Sequence, residues 1–224
     1  MRIAFFGGSF DPPHLGHLTI ARAAASRLAL DYVLMAPVGT QPLKSELKPA
    51  SFPDRLAMVE LAVAQEPKLV VSLADAPRVD GKPNYTVDTL GQLKTSLGSG
   101  DALFFLLGAD SFLSLKQWHR AGDLLQLAQF IVAGRPGFAI DDIGAVLPAG
   151  WVLSDKGAES GATAELITYD VERDGAHSSL HLLADLNEDI SATEIRAALA
   201  SDQKAQSVLP APVVDYIRAH HLYR

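Results

Sequence analysis

The chain has no cysteine among its 224 residues. That excludes disulfide bonds, thiolate metal sites and a cysteine nucleophile, and it suits a cytoplasmic enzyme. No apolar run is long enough to cross a bilayer, so no membrane partner is expected. Met1-Arg2 passes straight into strand-type sequence, without the apolar stretch and small-residue cleavage site of a secretory signal. The chain also lacks an excess of positive charge. Its formal net charge of −7 speaks against a nucleic-acid partner. Internal repeats and low-complexity tracts are absent. What is present, 48% hydrophobic and 20% charged residues, fits a soluble globular protein. The length fits one large domain spanning 1–224. The acidity sets a constraint. A polyanionic ligand would have to be drawn by local groups: helix N-termini, backbone N–H clusters and a few Lys and Arg.

Short β-type runs alternate with helical stretches along the chain. Strands are predicted at 3–6, 32–37, 69–73, 103–107 and 130–133, and helices at 18–30, 52–65, 86–97 and 213–220. Residues 39–50 read as a polar loop with prolines at 42 and 49. The near-continuous apolar run 103–107 is of the kind buried on both faces of a parallel sheet. This alternation predicts an α/β fold, a Rossmann-like open parallel sheet flanked by helices on both faces. Residues 138–181 mix Gly, Ala, Ser and Asp with short β-type runs and are read as a peripheral insertion. Residues 190–224 are read as a small C-terminal helical part.

The first strand runs into Gly7-Gly8-Ser9-Phe10-Asp11-Pro12-Pro13-His14-Leu15-Gly16-His17, and an amphipathic helix follows. Gly7 and Gly8 are expected to turn the backbone and let it approach a ligand. Ser9 and Phe10 would present backbone N–H groups into the same space. The helix start favours an anion, and Gly16 permits close approach there. His14 and His17, three apart, share a face. An imidazole suits a phosphate whose charge rises during reaction, because it donates a hydrogen bond and becomes cationic at modest cost near neutral pH. The plainer reading is a glycine turn with two surface histidines. A zinc site is disfavoured, since no cysteine is available and the spacing matches no zinc motif.

A second string comes late: Ile190-Ser191-Ala192-Thr193-Glu194-Ile195-Arg196. Ser191 is a good N-cap, and Glu194 would complete a capping box. That alone describes a well-capped helix. Arg196 on the first turn adds a guanidinium, so hydroxyl, backbone and fork could grip one phosphate together. The two strings suggest an enzyme that holds a nucleoside triphosphate from both ends of its sequence.

These strings resemble the (T/H)xGH and ISxTxxR-like signatures of the nucleotidyltransferase superfamily. Within it, the chain resembles the bacterial nicotinate-nucleotide adenylyltransferases. Asp54-Arg55-Leu56-Ala57-Met58 is similar to that family's DRxxM helix, and Asn84-Tyr85-Thr86-Val87-Asp88-Thr89-Leu90 to its YTxDTL stretch. Leu107-Gly108-Ala109-Asp110-Ser111 with Gln117-Trp118-His119 resembles its GADS…WH region, and Ala133-Gly134-Arg135-Pro136-Gly137 its ARPG turn. Two departures stand out. Residues 41–44 read Gln-Pro-Leu-Lys where many relatives carry a Pro-His-Lys type of sequence, and 138–181 matches less well.

The resemblance implies that ATP and nicotinic acid mononucleotide give deamido-NAD and pyrophosphate, with Mg²⁺ carried by the ATP phosphates. The mononucleotide phosphate would attack the α-phosphorus directly. His14 and His17 would meet the ATP phosphates, and Ser191, Thr193 and Arg196 the departing pyrophosphate. Gly108 and Asp110 would lie at the adenosine. Tyr85, Thr86, Trp118 and Arg135 would receive the mononucleotide, and Lys44 is a loop lysine that could reach a phosphate. The physics agrees: Asp110 follows a buried strand at its carboxyl end, and an indole stacks well on a pyridinium. Thr86, expected as an N-cap, offers a hydroxyl and free N–H groups to a carboxylate. The plainer readings are a core tryptophan and two ordinary helix caps. Pantetheine-phosphate adenylyltransferase and a non-catalytic nucleotide sensor on the same scaffold remain as alternatives. Monomer and homo-oligomer are both open.

Overall fold

Strand β1 (Arg2–Gly8) lies near the middle of the sheet and shows how the core is divided. Ala4 and Phe6 point into one apolar cluster and Phe5 into another. Period-two side chains can do this only when both faces of the sheet are covered. The structure is a computed structural model describing residues 1–40, 49–134, 143–163, 165–184, 186, 190–201 and 206–223.

After β1 the chain runs through α1 (Leu15–Arg27), β2 (Tyr32–Pro37), α2 (Phe52–Val63), β3 (Leu69–Val71) and α3 (Thr86–Ser96). It continues through β4 (Ala102–Gly108), α4 (Ala109–Leu113), α5 (Ala121–Leu127), β5 (Gln129–Ala133) and α6 (Ile143–Val146). The last part holds β6 (Val152–Thr163), β7 (Leu166–Arg173), β8 (Ala176–Leu183), α7 (Ala192–Ala200) and α8 (Ala211–Ala219). One eight-stranded sheet has the order β3-β2-β1-β4-β5-β8-β7-β6. The neighbours from β3 to β8 are parallel, and the β8-β7-β6 end is antiparallel. Side chains from α1, α2, α7 and α8 fill one face with Phe104, Leu106 and Ile131. Those from α3 and α5 fill the other with Phe105, Leu107 and Phe130. Among the described residues no helix is long and apolar enough to cross a membrane.

The expected open parallel sheet with helices on both faces is present, with a mixed edge. The stretch 138–181, expected as a peripheral insertion, has two fates. β6 and β7 do form the outer edge. β8 instead pairs in parallel with β5 and buries Leu180, Leu182 and Leu183, so it belongs to the sheet's interior. Its sequence, Ala-His-Ser-Ser-Leu-His-Leu-Leu, hides this because serine and histidine interrupt the apolar run and only Leu180, Leu182 and Leu183 are buried. Helix α1 starts at Leu15 rather than at 18. The first turn, Leu15-Gly16-His17, carries a glycine and a histidine that mask the apolar period Leu15 begins.

His181 sits inside this sheet edge. Its Nδ1 lies 3.0 Å from Thr168 Oγ1 on β7, and its Nε2 lies 3.0 Å from Gln129 Oε1 on β5. Burial, helped by the Arg2 charge and opposed by Asp170, pushes its pKa down from 6.5 to about 4. The folded pKa is below the unfolded one. The unfolded chain therefore binds the extra proton first as pH falls, and this residue's contribution is full above 6.5 and lost between 6.5 and about 4. The full loss is roughly 3 kcal/mol. Urea unfolding at pH 6.5 and pH 5 is expected to show a drop for the native sequence and a smaller one for His181→Gln. Equal drops in the two proteins would remove His181 as the cause.

Candidate active site

Gly7 and Gly8 do not make the turn expected of them. They continue β1 in extended pairing with Ala36 and Pro37 of β2. A Cβ on Gly7 would lie 2.8 Å from the Phe5 ring, so the residue is small because space is short. The turn comes later, at Phe10, whose φ of 46° is left-handed, and at a cis Asp11-Pro12 bond. Left-handed φ is unusual for an aromatic residue and persists only when surroundings hold it. Here the Phe10 ring is buried, edge-on to Phe6 at 5.5 Å and to His17 at 4.9 Å.

Two residues hold the loop. The Arg55 guanidinium of α2 is buried, donating from Nη1 to Ser9 O at 2.7 Å, from Nη2 to Val38 O at 2.8 Å and from Nε to Ala50 O at 3.2 Å. Burial lowers its pKa, with Asp11 opposing. A guanidinium stays charged under any such shift. The Asp11 carboxylate is also buried, and its Oδ1 accepts from Ala50 N at 3.1 Å and from the Tyr223 hydroxyl at 2.6 Å.

His14 is the N-cap of α1 and is buried; His17 occupies the third position of the helix. Their rings stack with centroids 3.6 Å apart. The backbone N–H of His14 donates to His17 Nδ1 at 3.2 Å. An Nδ1 that accepts leaves the proton of the neutral ring on Nε2, so that nitrogen is a donor.

The C-terminal string meets this loop. Arg196 Nη1 on α7 donates to the main-chain oxygen of Asp11 at 2.8 Å, across 185 residues of sequence. Its Nη2 donates to Thr193 Oγ1 at 3.2 Å. Ser191 is the N-cap by position, but its side chain makes no capping hydrogen bond, so the expected capping box is not formed.

The third wall is α3 with the segment after β4. The N-cap of α3 is Tyr85 rather than Thr86, which is the first helical residue. Backbone N–H groups in a helix's first turn have no intrahelical acceptor. Tyr85 packs against His119 with ring centroids 4.3 Å apart. Trp118 is half-buried; its Nε1 donates to Ser114 Oγ at 3.3 Å, and its ring lies 6.0 Å from Phe105. Asp75 is buried at the base of this wall. It accepts from Thr89 Oγ1 at 2.8 Å, and its main-chain oxygen accepts from Gly39 N at 2.7 Å and Asn84 Nδ2 at 3.2 Å. Burial pushes its carboxyl pKa up, and hydrogen bonds from Thr89 and Asn84 pull against that. Asp110 is exposed at the second position of α4, whose N-cap is Gly108.

All three walls line one cleft of about 840 Å³ at the carboxyl ends of β1, β4 and β5. Gly7, Gly8, Ser9, Phe10, His14, Gly16, His17, Gly108, Asp110, Ser191, Thr193, Arg196, Tyr85, Thr86 and Trp118 all border it. Lys44 and Arg135 lie outside the described residues. Sequence reasoning missed Asp75, the hydrogen-bonding part of Arg55, and Tyr223. The DRxxM string contained Arg55 but gave no sign of which carbonyls it would reach.

The family model described as cytidylyltransferase-like matches residues 5–198, and the chain belongs to that family. Curated relatives narrow it. One from Laribacter hongkongensis, named a probable nicotinate-nucleotide adenylyltransferase, is 42% identical over 223 residues, 99% of this chain and 94% of its own. One of the same name from Chromobacterium violaceum is 39% identical, covering 100% of this chain and 99% of its own. Within the family, then, the chain belongs to the nicotinate-nucleotide adenylyltransferases. The solved Plasmodium falciparum nicotinic acid mononucleotide adenylyltransferase complexed with NaAD shares the fold, with a TM-score of 0.72, 19% identity and coverage of 99% and 97%.

Arg55→Met is expected to destabilise the fold by about 3 kcal/mol, because several buried carbonyls lose a charged donor. Urea denaturation measures this, and a change below about 0.5 kcal/mol would make the guanidinium dispensable.

Proposed function

We propose that this cleft transfers the adenylyl group of ATP to nicotinic acid mononucleotide, giving deamido-NAD and pyrophosphate in NAD biosynthesis. The observation that carries the reading is the Arg196–Asp11 bond, which puts the late guanidinium and the early imidazole pair around one cavity. A phosphate oxygen of the mononucleotide attacks the α-phosphorus of ATP. The bond from that phosphorus to the bridging oxygen breaks, and pyrophosphate leaves with the electron pair. No covalent enzyme intermediate is needed, so positioning and charge stabilisation do the work. Mg²⁺ carried by the ATP phosphates would neutralise part of their charge.

Each residue has a role matched to its chemistry. His17 donates from Nε2 to a non-bridging oxygen of the α-phosphate as charge builds there, and His14 backs its ring. Gly7, Gly8, Ser9, Phe10 and Gly16 supply a close-fitting backbone floor beneath the phosphates. Arg196, Ser191 and Thr193 hold the departing pyrophosphate. Asp110 accepts from adenosine ribose hydroxyls beside Gly108. The nicotinate carboxylate meets the N-terminus of α3 at Thr86, between Tyr85 and Trp118, with the indole stacked on the pyridinium. Lys44 and Arg135, outside the described residues, are the remaining candidates for contact with the mononucleotide. Absence of cysteine and use of ATP suit a cytoplasmic enzyme.

Pyrophosphate release from ATP is the test, with nicotinic acid mononucleotide and phosphopantetheine compared as acceptors. Turnover with the first is expected. ATP binding without turnover on either would make the protein a sensor. His17→Ala is expected to lower kcat by roughly 10²–10⁴-fold while the protein stays folded, as for one positioned catalytic group. Near-normal turnover would take His17 out of the mechanism. Trp118→Ala is expected to raise KM for the mononucleotide and leave that for ATP unchanged. The opposite pattern would put the indole at the adenosine.

A further inference from the structure

We propose that Tyr223, next to the end of the chain, is a positioning residue that keeps Arg196 available to the triphosphate. The inference rests on the reading of Arg196 as a phosphate-binding group. A guanidinium beside a buried carboxylate ordinarily closes on it as a two-bonded fork. Arg196 does not close on Asp11 in this way. Its Nη1 stands 3.9 Å from Asp11 Oδ2, beyond hydrogen-bond reach, and bonds the main-chain oxygen of the same residue at 2.8 Å. A carbonyl carries no net charge, so this bond orients the guanidinium, while the carboxylate stands at ion-pair distance without a hydrogen bond to it.

The carboxylate is held away by its other partners. Asp11 Oδ1 accepts from Ala50 N at 3.1 Å and from the Tyr223 hydroxyl at 2.6 Å, the latter across 212 residues. Arg55 supplies a second positive charge close to both Asp11 and Tyr223. Burial and the neighbouring carboxylate push the phenol's pKa far up, so its hydroxyl remains a donor. The tail is shaped for this bond. His221 (φ 54°) and Tyr223 (φ 61°) are both left-handed without being glycine, and Leu222 N bonds back to Ile217 O of α8 at 3.1 Å. Two such residues store strain that the docked ring must offset. Without the hydroxyl, Asp11 Oδ1 loses a donor, and the carboxylate can swing onto Arg196 and compete with phosphate for it.

Calorimetric titration with inorganic pyrophosphate and with Mg·ATP tests this. Tyr223→Phe is expected to bind both about tenfold more weakly, with the mononucleotide's affinity unchanged. Asp11→Asn in the same chain should restore most of the loss, since an amide has no charge with which to capture the guanidinium. Wild-type pyrophosphate affinity in Tyr223→Phe would overturn the proposal. So would an equal loss of all three ligands, or no rescue by Asp11→Asn, since either result describes a merely structural tail. If Tyr223→Phe does not fold, Asp11→Asn alone decides. It should bind pyrophosphate at least as tightly as the native chain, and weaker binding sinks the idea. These are binding measurements, so they stand apart from turnover. Lack of reaction with nicotinic acid mononucleotide would remove the proposed function without touching this comparison.

Discussion

A single main-chain oxygen, that of Asp11, receives the guanidinium that joins the late helix to the early loop. Everything the cleft can do with a polyanion depends on that junction. The chain is acidic overall, so long-range attraction cannot gather a triphosphate. Positive potential has to be assembled locally, from Arg196, two imidazoles and the open end of a helix. The Asp11 loop is where they converge, and it is anchored from below by Arg55 and from the side by Tyr223. The anchors reach the loop mainly through neutral carbonyls and a phenol. Arg196 is therefore positioned by a carbonyl, with the Asp11 carboxylate at 3.9 Å and not hydrogen-bonded to it.

The acceptor side obeys a different rule. The segment around Asp75 is tied to α3 and the residues just before it by hydrogen bonds from Thr89 and Asn84, and the start of α3 meets the Trp118 turn through the Tyr85–His119 ring contact. Asp75 is the centre of that arrangement, clamping Gly39, Asn84 and Thr89. A carboxylate here would oppose an acceptor that is itself anionic. Burial raises its pKa, and the hydrogen bonds from Thr89 and Asn84 that shape the wall oppose that shift.

The central strands were legible because they are buried on both faces. Runs such as Leu103–Leu107 are apolar at every position, as a strand covered on both sides requires. β8 was not, since serines and histidines break its apolar run, and the hydrogen-bond partners of His181, Thr168 and Gln129, come from strands that only the fold brings beside it. Most of the residues that border the cleft were readable as strings, because the proposed phosphate site calls for small residues, imidazoles and a guanidinium at set spacings. What could not be read was the work of connection. The turn belongs to Phe10 rather than to the glycines, as the Phe5 ring leaves no room beside Gly7 and a buried Phe10 ring can hold an unfavourable φ. Tyr223 looked like an ordinary terminal aromatic, since nothing local records a partner at the other end of the chain. Lys44 and Arg135 lie outside the described residues.

The helix starts show the trade between stability and function most directly. Away from the cleft, α2 is capped in the ordinary way, with Ser51 Oγ accepting from Asp54 N at 3.2 Å. At the cleft, α3 and α7 have Tyr85 and Ser191 at their N-caps, and neither side chain makes a capping bond. For Ser191 this is a choice of rotamer rather than of residue, since serine caps well elsewhere. A forgone cap costs about 1 kcal/mol. In return the first-turn N–H groups and the serine hydroxyl stay available to a ligand. An anion bound there supplies the cap the protein withheld, so part of the binding energy is recovered helix stability. Both of these helix starts border the cleft. That is the arrangement expected if one ligand carries a carboxylate to α3 and another carries phosphates to α7.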